Sequence, residues 1–219
     1  MVSATSSRGS QSGFTLAELL VAVAISLMVV GSATLLAGKM QTSYRVQMEG
    51  ATAQQEARYA LQWIERYIRA AGNNPYRVTT TACPAAGTAF QAIRIDPNGN
   101  AQNDDIRLQM DGSPVDGLIG GSAGTCTEAN EDVTIALNAA SRMITITDNN
   151  IGGGASNRSD DVISGLQFVY RDPSHNVTAV AANIAYVETT VTAQSRMTDP
   201  QTNQRTTYQV RSEVRVRVR

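Results

Sequence analysis

A chain of 219 residues has room for one membrane segment and one domain of ordinary size, and not for three domains. Its 18 basic and 19 acidic residues leave a formal charge of −1, which excludes a bulk electrostatic attraction to nucleic acid. Aromatic residues are only 5% while small polar residues and glycine are plentiful, so the soluble part reads as turn-rich and β-dominated, with a core of Val, Ile and Leu.

The first element in chain order is apolar. Residues 1–13 (MVSATSSRGSQSG) are polar, and from Phe14 to Ala37 the chain carries a single charge, Glu18. A secretory signal has its small-residue cleavage site after the apolar stretch; here the small residue, Gly13, precedes it and no A-x-A pattern follows Ala37. As a helix, this run of 24 residues is about 36 Å long, enough to cross a hydrocarbon core of about 30 Å. A transmembrane helix over residues 14–38 follows. Glu18 falls in its first turn, where the helix dipole and the unpaired backbone donors favour negative charge. Deeper in the bilayer a lone carboxylate costs about 2.5–3.5 kcal/mol. Position therefore explains why the acid is tolerated, but not why it is there.

Gly13-Phe14-Thr15-Leu16-Ala17-Glu18-Leu19-Leu20, followed by the apolar helix, resembles the N-terminal motif of type IV prepilins and of the pseudopilins of type II secretion. The resemblance implies a leader of residues 1–13, cut after Gly13 by a membrane prepilin peptidase that methylates the new amine of Phe14. It implies that Glu18 meets the terminal amine of a neighbouring subunit when helices bundle into a filament. An ion pair buried between subunits is costly to half-make, so an unpaired Glu18 would penalise a wrong register. The partners it implies are the peptidase, other major and minor pilins and an inner-membrane assembly platform. Arg8 precedes the helix while Lys39 and Arg45 follow it, so flanking charge does not set orientation. Inner-membrane anchorage with a periplasmic C-terminal domain, before transfer to a pilus or filament, comes from the resemblance.

Past Ala37 the chain turns polar without losing helical character. No proline interrupts residues 14–74, and Ala53, Ala57, Ala60, Ile64, Tyr67 and Ala71 recur at three- and four-residue steps, which makes one amphipathic face. Gly72, Asn73, Asn74 and Pro75 form a stop signal. The spacing predicts a helical stalk over residues 39–71. Gly31, Gly38 and Gly50 are places where it could bend. Tyr59, Trp63 and Tyr67 read as packing against a sheet rather than as a binding stripe, and Glu65 with Arg69 as an i,i+4 pair.

Beyond Pro75 the pattern changes to short alternating runs separated by Gly, Asn, Asp and Pro. Strands are expected over residues 90–95, 105–110, 132–138, 142–148, 162–172, 183–195 and 207–219, with a hairpin across Ala139, Ala140 and Ser141. An antiparallel sheet over residues 72–219 gives the helix its apolar partner. The tracts QQEARYALQWIERYIRAAG and VISGLQFVYRD and the closing Val/Arg-rich strand resemble the PilW-like, or J-type, subgroup of minor pilins and pseudopilins. The expected fold is therefore α+β and pilin-like: a long N-terminal helix, half transmembrane and half amphipathic, packed on an antiparallel β-sheet.

Cys83 and Cys126 lack the CxxC spacing of a zinc or redox site. In an oxidising compartment they read as one disulfide, worth about 4 kcal/mol by loop entropy; two unrelated buried thiols are the alternative. Arg211, Arg215, Arg217 and Arg219 share one strand face, which could meet phosphates, but Glu213 lies among them and no aromatic is interleaved. A charged edge strand is the plainer reading, so nucleic acid is not an expected partner. The loop DPNGNAQNDD (residues 96–105) begins like a calcium loop but has Ala101 where the turn glycine belongs and Arg107 where the bidentate acid belongs; a polar turn is expected. His175 sits in a turn-like DPSHNVT with no nucleophile motif near it, and IGGGAS (residues 151–156) opens no helix that could hold phosphate. No enzyme activity, cofactor or metal is expected. A minor type IV pilin acting in pilus assembly or priming is the leading expectation, with a type II secretion minor pseudopilin and a filament-tip module for DNA uptake or adhesion as alternatives.

Overall fold

The computed structural model describes residues 13–83, 87–122 and 124–217. The chain divides into two compact units at the Arg45/Val46 junction. Helix α1 runs over Leu16–Ala70, uninterrupted at Gly31, Gly38 and Gly50. Its second part, from Val46 on, buries Gly50, Ala53, Ala57, Ala60, Leu61, Ile64 and Ile68; Ala53, Ala57, Ala60 and Ile64 are members of the expected stripe, as is the buried Ala71 just beyond the helix, while Tyr67 is only partly buried and Gly50, Leu61 and Ile68 widen the face. The small residues of that stripe admit close approach: the Tyr208 ring lies over Gly50, with its hydroxyl 2.5 Å from where a Cβ would stand.

The helix ends because Gly72 takes a positive φ of 76°, which any other residue adopts only under strain. A side chain there would also meet the Arg217 carbonyl oxygen at 2.4 Å. The Gly72 N–H donates to the Gln109 carbonyl at 2.9 Å, so the helix end is tied to a strand.

The strands are β1 (Thr80–Thr81), β2 (Thr88–Ala89), β3 (Ile93–Ile95), β4 (Asp105–Gln109), β5 (Gly121–Ser122), β6 (Thr125–Cys126), β7 (Asp132–Asn138), β8 (Met143–Asp148), β9 (Ser156–Asn157), β10 (Ile163–Arg171), β11 (Tyr186–Thr198) and β12 (Arg205–Arg215). Every pairing among them is antiparallel. They form two main sheets rather than one, a five-stranded sheet in the order β3-β4-β7-β8-β9 and a three-stranded sheet in the order β10-β11-β12, with the ribbons β1-β2 and β5-β6 beside them. The sheets meet at a seam bridged by backbone bonds, Phe168 N–H to the Asn103 carbonyl at 2.9 Å and Ile163 N–H to the Arg142 carbonyl at 3.0 Å. Residues 183–185 lie outside β11 because Ala181–Asn183 forms a 3₁₀ turn first.

One core joins the helix stripe to both sheets. Ile106 and Leu108, Val133 and Ile135, Ile144 and Ile146 alternate inward from the larger sheet; Leu166, Phe168, Tyr170, Val187, Val191 and Val214 do so from the smaller. Phe168 is the largest fully buried side chain. Cys83 and Cys126 are joined by a disulfide. The loop from residue 111 to 131 is held by buried carboxylates: Asp111 accepts from the Asp116 and Gly117 N–H groups, and Glu131 from those of Gly112 and Gly120. Asp132 takes Arg107 by two hydrogen bonds and Gln109 by a third, which satisfies a charge that would be costly alone.

Candidate functional site

The candidate site is the start of α1 and the apolar surface behind it. Gly13, Phe14 and Thr15 precede the helix, with Phe14 89% exposed and no atom within 4 Å of a Cβ built on Gly13. The Gly13–Phe14 bond therefore lies in open, non-helical chain, the condition a peptidase needs to reach a backbone. Residues 1–12, the rest of the expected leader, lie outside the described residues.

Thr15 is the residue before the first helical turn, and Glu18 stands three residues on. The Glu18 N–H donates to Thr15 Oγ1 at 3.3 Å, while the Thr15 N–H and hydroxyl both donate to Glu18 Oε2 at 2.9 Å. This is a reciprocal capping box, which satisfies backbone donors that the first turn leaves unpaired. Sequence reasoning placed Glu18 in the first turn and missed the box, although T-x-x-E before an apolar run is its signature. The box uses one carboxylate oxygen, Oε2. The other, Oε1, has no hydrogen-bond partner among the described residues and can accept from an outside donor such as an amine.

Every residue from 13 to 45 is exposed, including Leu16, Leu19, Val23, Leu27, Val30 and Leu35. An apolar cylinder without a cover in its own chain needs lipid or other helices around it. The helix is long and apolar enough to cross a membrane.

The remaining candidates separate on inspection. Trp63 and Tyr67 are partly buried against the core and meet edge to face at 6.2 Å, with the Tyr67 hydroxyl donating to Asn130; Tyr59 is 58% exposed. In the Asp96 loop the carboxylate of Asp96 accepts from the N–H groups of Asn100 and Ala101, and Asp105 accepts from that of Asn98. The two Asp96 oxygens are filled by N–H donors, as in a polar turn, while Asp105 Oδ1 is buried without a hydrogen-bond partner among the described residues. Burial, with Asp104 and Asp96 nearby, pushes the Asp105 carboxyl up to about 6. Among the described residues no group of three or more His, Cys, Asp or Glu is placed to hold a metal.

His175 stacks on Tyr186 at 4.3 Å and lies 3.2 Å from Glu213. It belongs to a network on the outer face of the three-stranded sheet, where Glu188 pairs with Arg171 and Arg211, and Arg171 reaches Glu213. Burial alone would raise Glu188, but the two guanidiniums hold it below the usual carboxylate range. Of the arginine row, Arg211 is thus consumed, Arg217 donates to Asn73 at 3.3 Å, and Arg215 is exposed without an ion-pair partner among the described residues. Arg219 lies outside the described residues. The IGGGAS glycines sit in an exposed turn before β9.

Residues 8–34 match the family model described as the prokaryotic N-terminal methylation motif. No curated protein and no solved structure matches the chain. The motif supports a type IV pilin or pseudopilin: a structural subunit processed by prepilin peptidase, assembled with other pilins and anchored in the inner membrane by its apolar helix.

Proposed function

We propose that this chain is a minor type IV pilin of the PilW-like kind, cut after Gly13, methylated on Phe14 and built into the tip or priming complex of an envelope filament, with residues 72–219 in the periplasm before assembly. One observation carries the reading. The methylation motif, residues 8–34, contains a capped helix start whose acid keeps an oxygen free and runs on into an apolar surface with no cover among the described residues.

The chemistry follows from that arrangement. Cleavage creates an amine at Phe14, and a neighbouring helix entering the bundle brings its own amine into an apolar environment. There an ammonium needs a carboxylate, and Glu18 Oε1 supplies it while Oε2 keeps the helix capped. A helix displaced along its axis leaves both charges unpaired, so the pair selects register. The type II secretion pseudopilin shares every part of this reasoning; a secretion assay in cells lacking the chain separates the two.

Glu18 variants test it. Glu18→Gln keeps a capping-box acceptor and removes the charge, whereas Glu18→Ala removes both. Both variants should enter the membrane, and both should be lost from purified filaments. Incorporation of Glu18→Gln at the normal level would reduce Glu18 to a helix cap and overturn its role in assembly.

A further inference from the structure

Strand β12 ends the three-stranded sheet on one side, and its outer edge is open. Backbone groups alternate in direction along an antiparallel strand, so one anchored bond sets the direction of the others. The Val216 N–H donates to the Ala185 carbonyl at 2.9 Å, and the Gln194 N–H turns away from β12, to the Val162 carbonyl at 2.7 Å. With Tyr186 opposite Arg215 and Gln194 opposite Thr207, the residues of β12 that bond to β11 are therefore Tyr208, Val210, Ser212 and Val214. The N–H and C=O groups of Thr207, Gln209, Arg211, Glu213 and Arg215 face the other way. None of them has a hydrogen-bond partner among the described residues.

Sheet edges are ordinarily defended by proline, by a bulge, by shortness or by charge. Here the register runs unbroken from Thr207 to Arg215, about 30 Å of strand, and contains no proline. The sequence suggests that charge defends this strand, but the fold turns two of its charges back over the sheet: Arg211 pairs with Glu188, and Glu213 with Arg171 and His175. What is left without an ion pair among the described residues is basic, namely Arg205 and Arg215, both exposed. On the opposite face Tyr208 and Val210 are only partly buried, so apolar surface continues out to the edge.

We infer that the β12 edge takes up an extended strand of another protein, acidic on the face that meets Arg205 and Arg215 and apolar on the face that meets Tyr208 and Val210. The open N–H and C=O groups supply main-chain bonds, and the alternating side chains of the incoming strand supply the choice of partner. A basic strand would set like charges opposite one another. A second copy of this chain is not the occupant. β12 runs alongside α1, with Tyr208 over Gly50 and Arg217 against Gly72, so antiparallel β12–β12 pairing about a two-fold axis would point the two α1 helices in opposite directions, which a shared membrane does not admit. The inference does not rest on the filament reading, since purified, uncleaved protein suffices to test it.

The test uses the full chain in detergent micelles and a fluorescein-labelled synthetic peptide that alternates valine with glutamate and threonine, beside a control peptide carrying lysine in place of glutamate. The acidic peptide should bind and the lysine peptide should not. Hydrogen exchange should show new protection at the amides of Thr207, Gln209, Arg211, Glu213 and Arg215 when the acidic peptide is present. Gln209→Pro removes an N–H that faces the edge and leaves the ladder to β11 whole, so it should weaken binding about tenfold while Gln209→Ala binds as the wild type does. Arg215→Glu, at an exposed position, should weaken it about tenfold as well. An unchanged melting temperature confirms that each variant is folded. Absence of binding at about 1 mM acidic peptide overturns the inference, as does equal binding of the lysine peptide. So does wild-type binding by folded Gln209→Pro, or binding that leaves the five edge amides unprotected, either of which would place the peptide elsewhere on the protein.

Discussion

The two parts of helix α1 share a backbone and differ in almost everything else. Up to Arg45 every described residue is exposed, and from Leu19 to Ala37 the helix carries no charge and shows apolar side chains on every side; from Val46 on, a stripe from Gly50 to Ile68 is buried and the rest is mostly polar. A helix apolar all round has no preferred face and takes its surroundings from outside the chain, whereas an amphipathic one takes them from its own domain. Secondary structure is thus a poor guide to role here. What separates anchor from scaffold is where the apolar surface finds its partner.

The sharpest way to break this contrast is to cut the same volume from each part. Ile64→Ala, at a fully buried position, should destabilise the domain by about 4 kcal/mol in chemical denaturation. Leu27→Ala, at a site 67% exposed, should leave that transition unmoved. Equal losses would mean that the first part of the helix is packed within the fold after all.

Gly72→Ala probes the point where the scaffold part ends. It forces a Cβ onto a positive φ and against the Arg217 carbonyl, and should cost about 3 kcal/mol. A neutral result would show that the helix end and the segment just after β12 are not in contact.

The smallest expected effect is a pH dependence from Asp105. Burial raises its carboxyl from an ordinary 3.8 to about 6, so between these values the folded chain holds a proton that the unfolded chain has lost. Stability from this group is complete at pH 3 and falls as pH rises through 6. Discounted for the solvated loop beside it, the loss is about 1 kcal/mol. Asp105→Asn should flatten that fall in melting curves taken at pH 4 and 7; an unaltered difference would contradict the burial argument.

Much of this was legible in the sequence because it is local. The 3.6-residue stripe gave the buried helix face, Gly72-Asn73-Asn74-Pro75 gave its end, and alternation placed β4, β7, β8 and β10 to within a residue or two. The Thr15–Glu18 box is equally local, a T-x-x-E directly before the apolar run, and the reading of Glu18 as a first-turn acid stops one step short of it. The division into two sheets was not legible, since the seam depends on Phe168 meeting Asn103 and Ile163 meeting Arg142, which no short window contains.

The central claim is that the open bond after Gly13 is a processing site and the exposed helix behind it an assembly element. Intact mass and N-terminal sequencing of the protein, made with and without a prepilin peptidase, test it most directly. The account predicts a chain beginning at methylated Phe14 only when the peptidase is present; a chain retaining residues 1–13 in both preparations would contradict it.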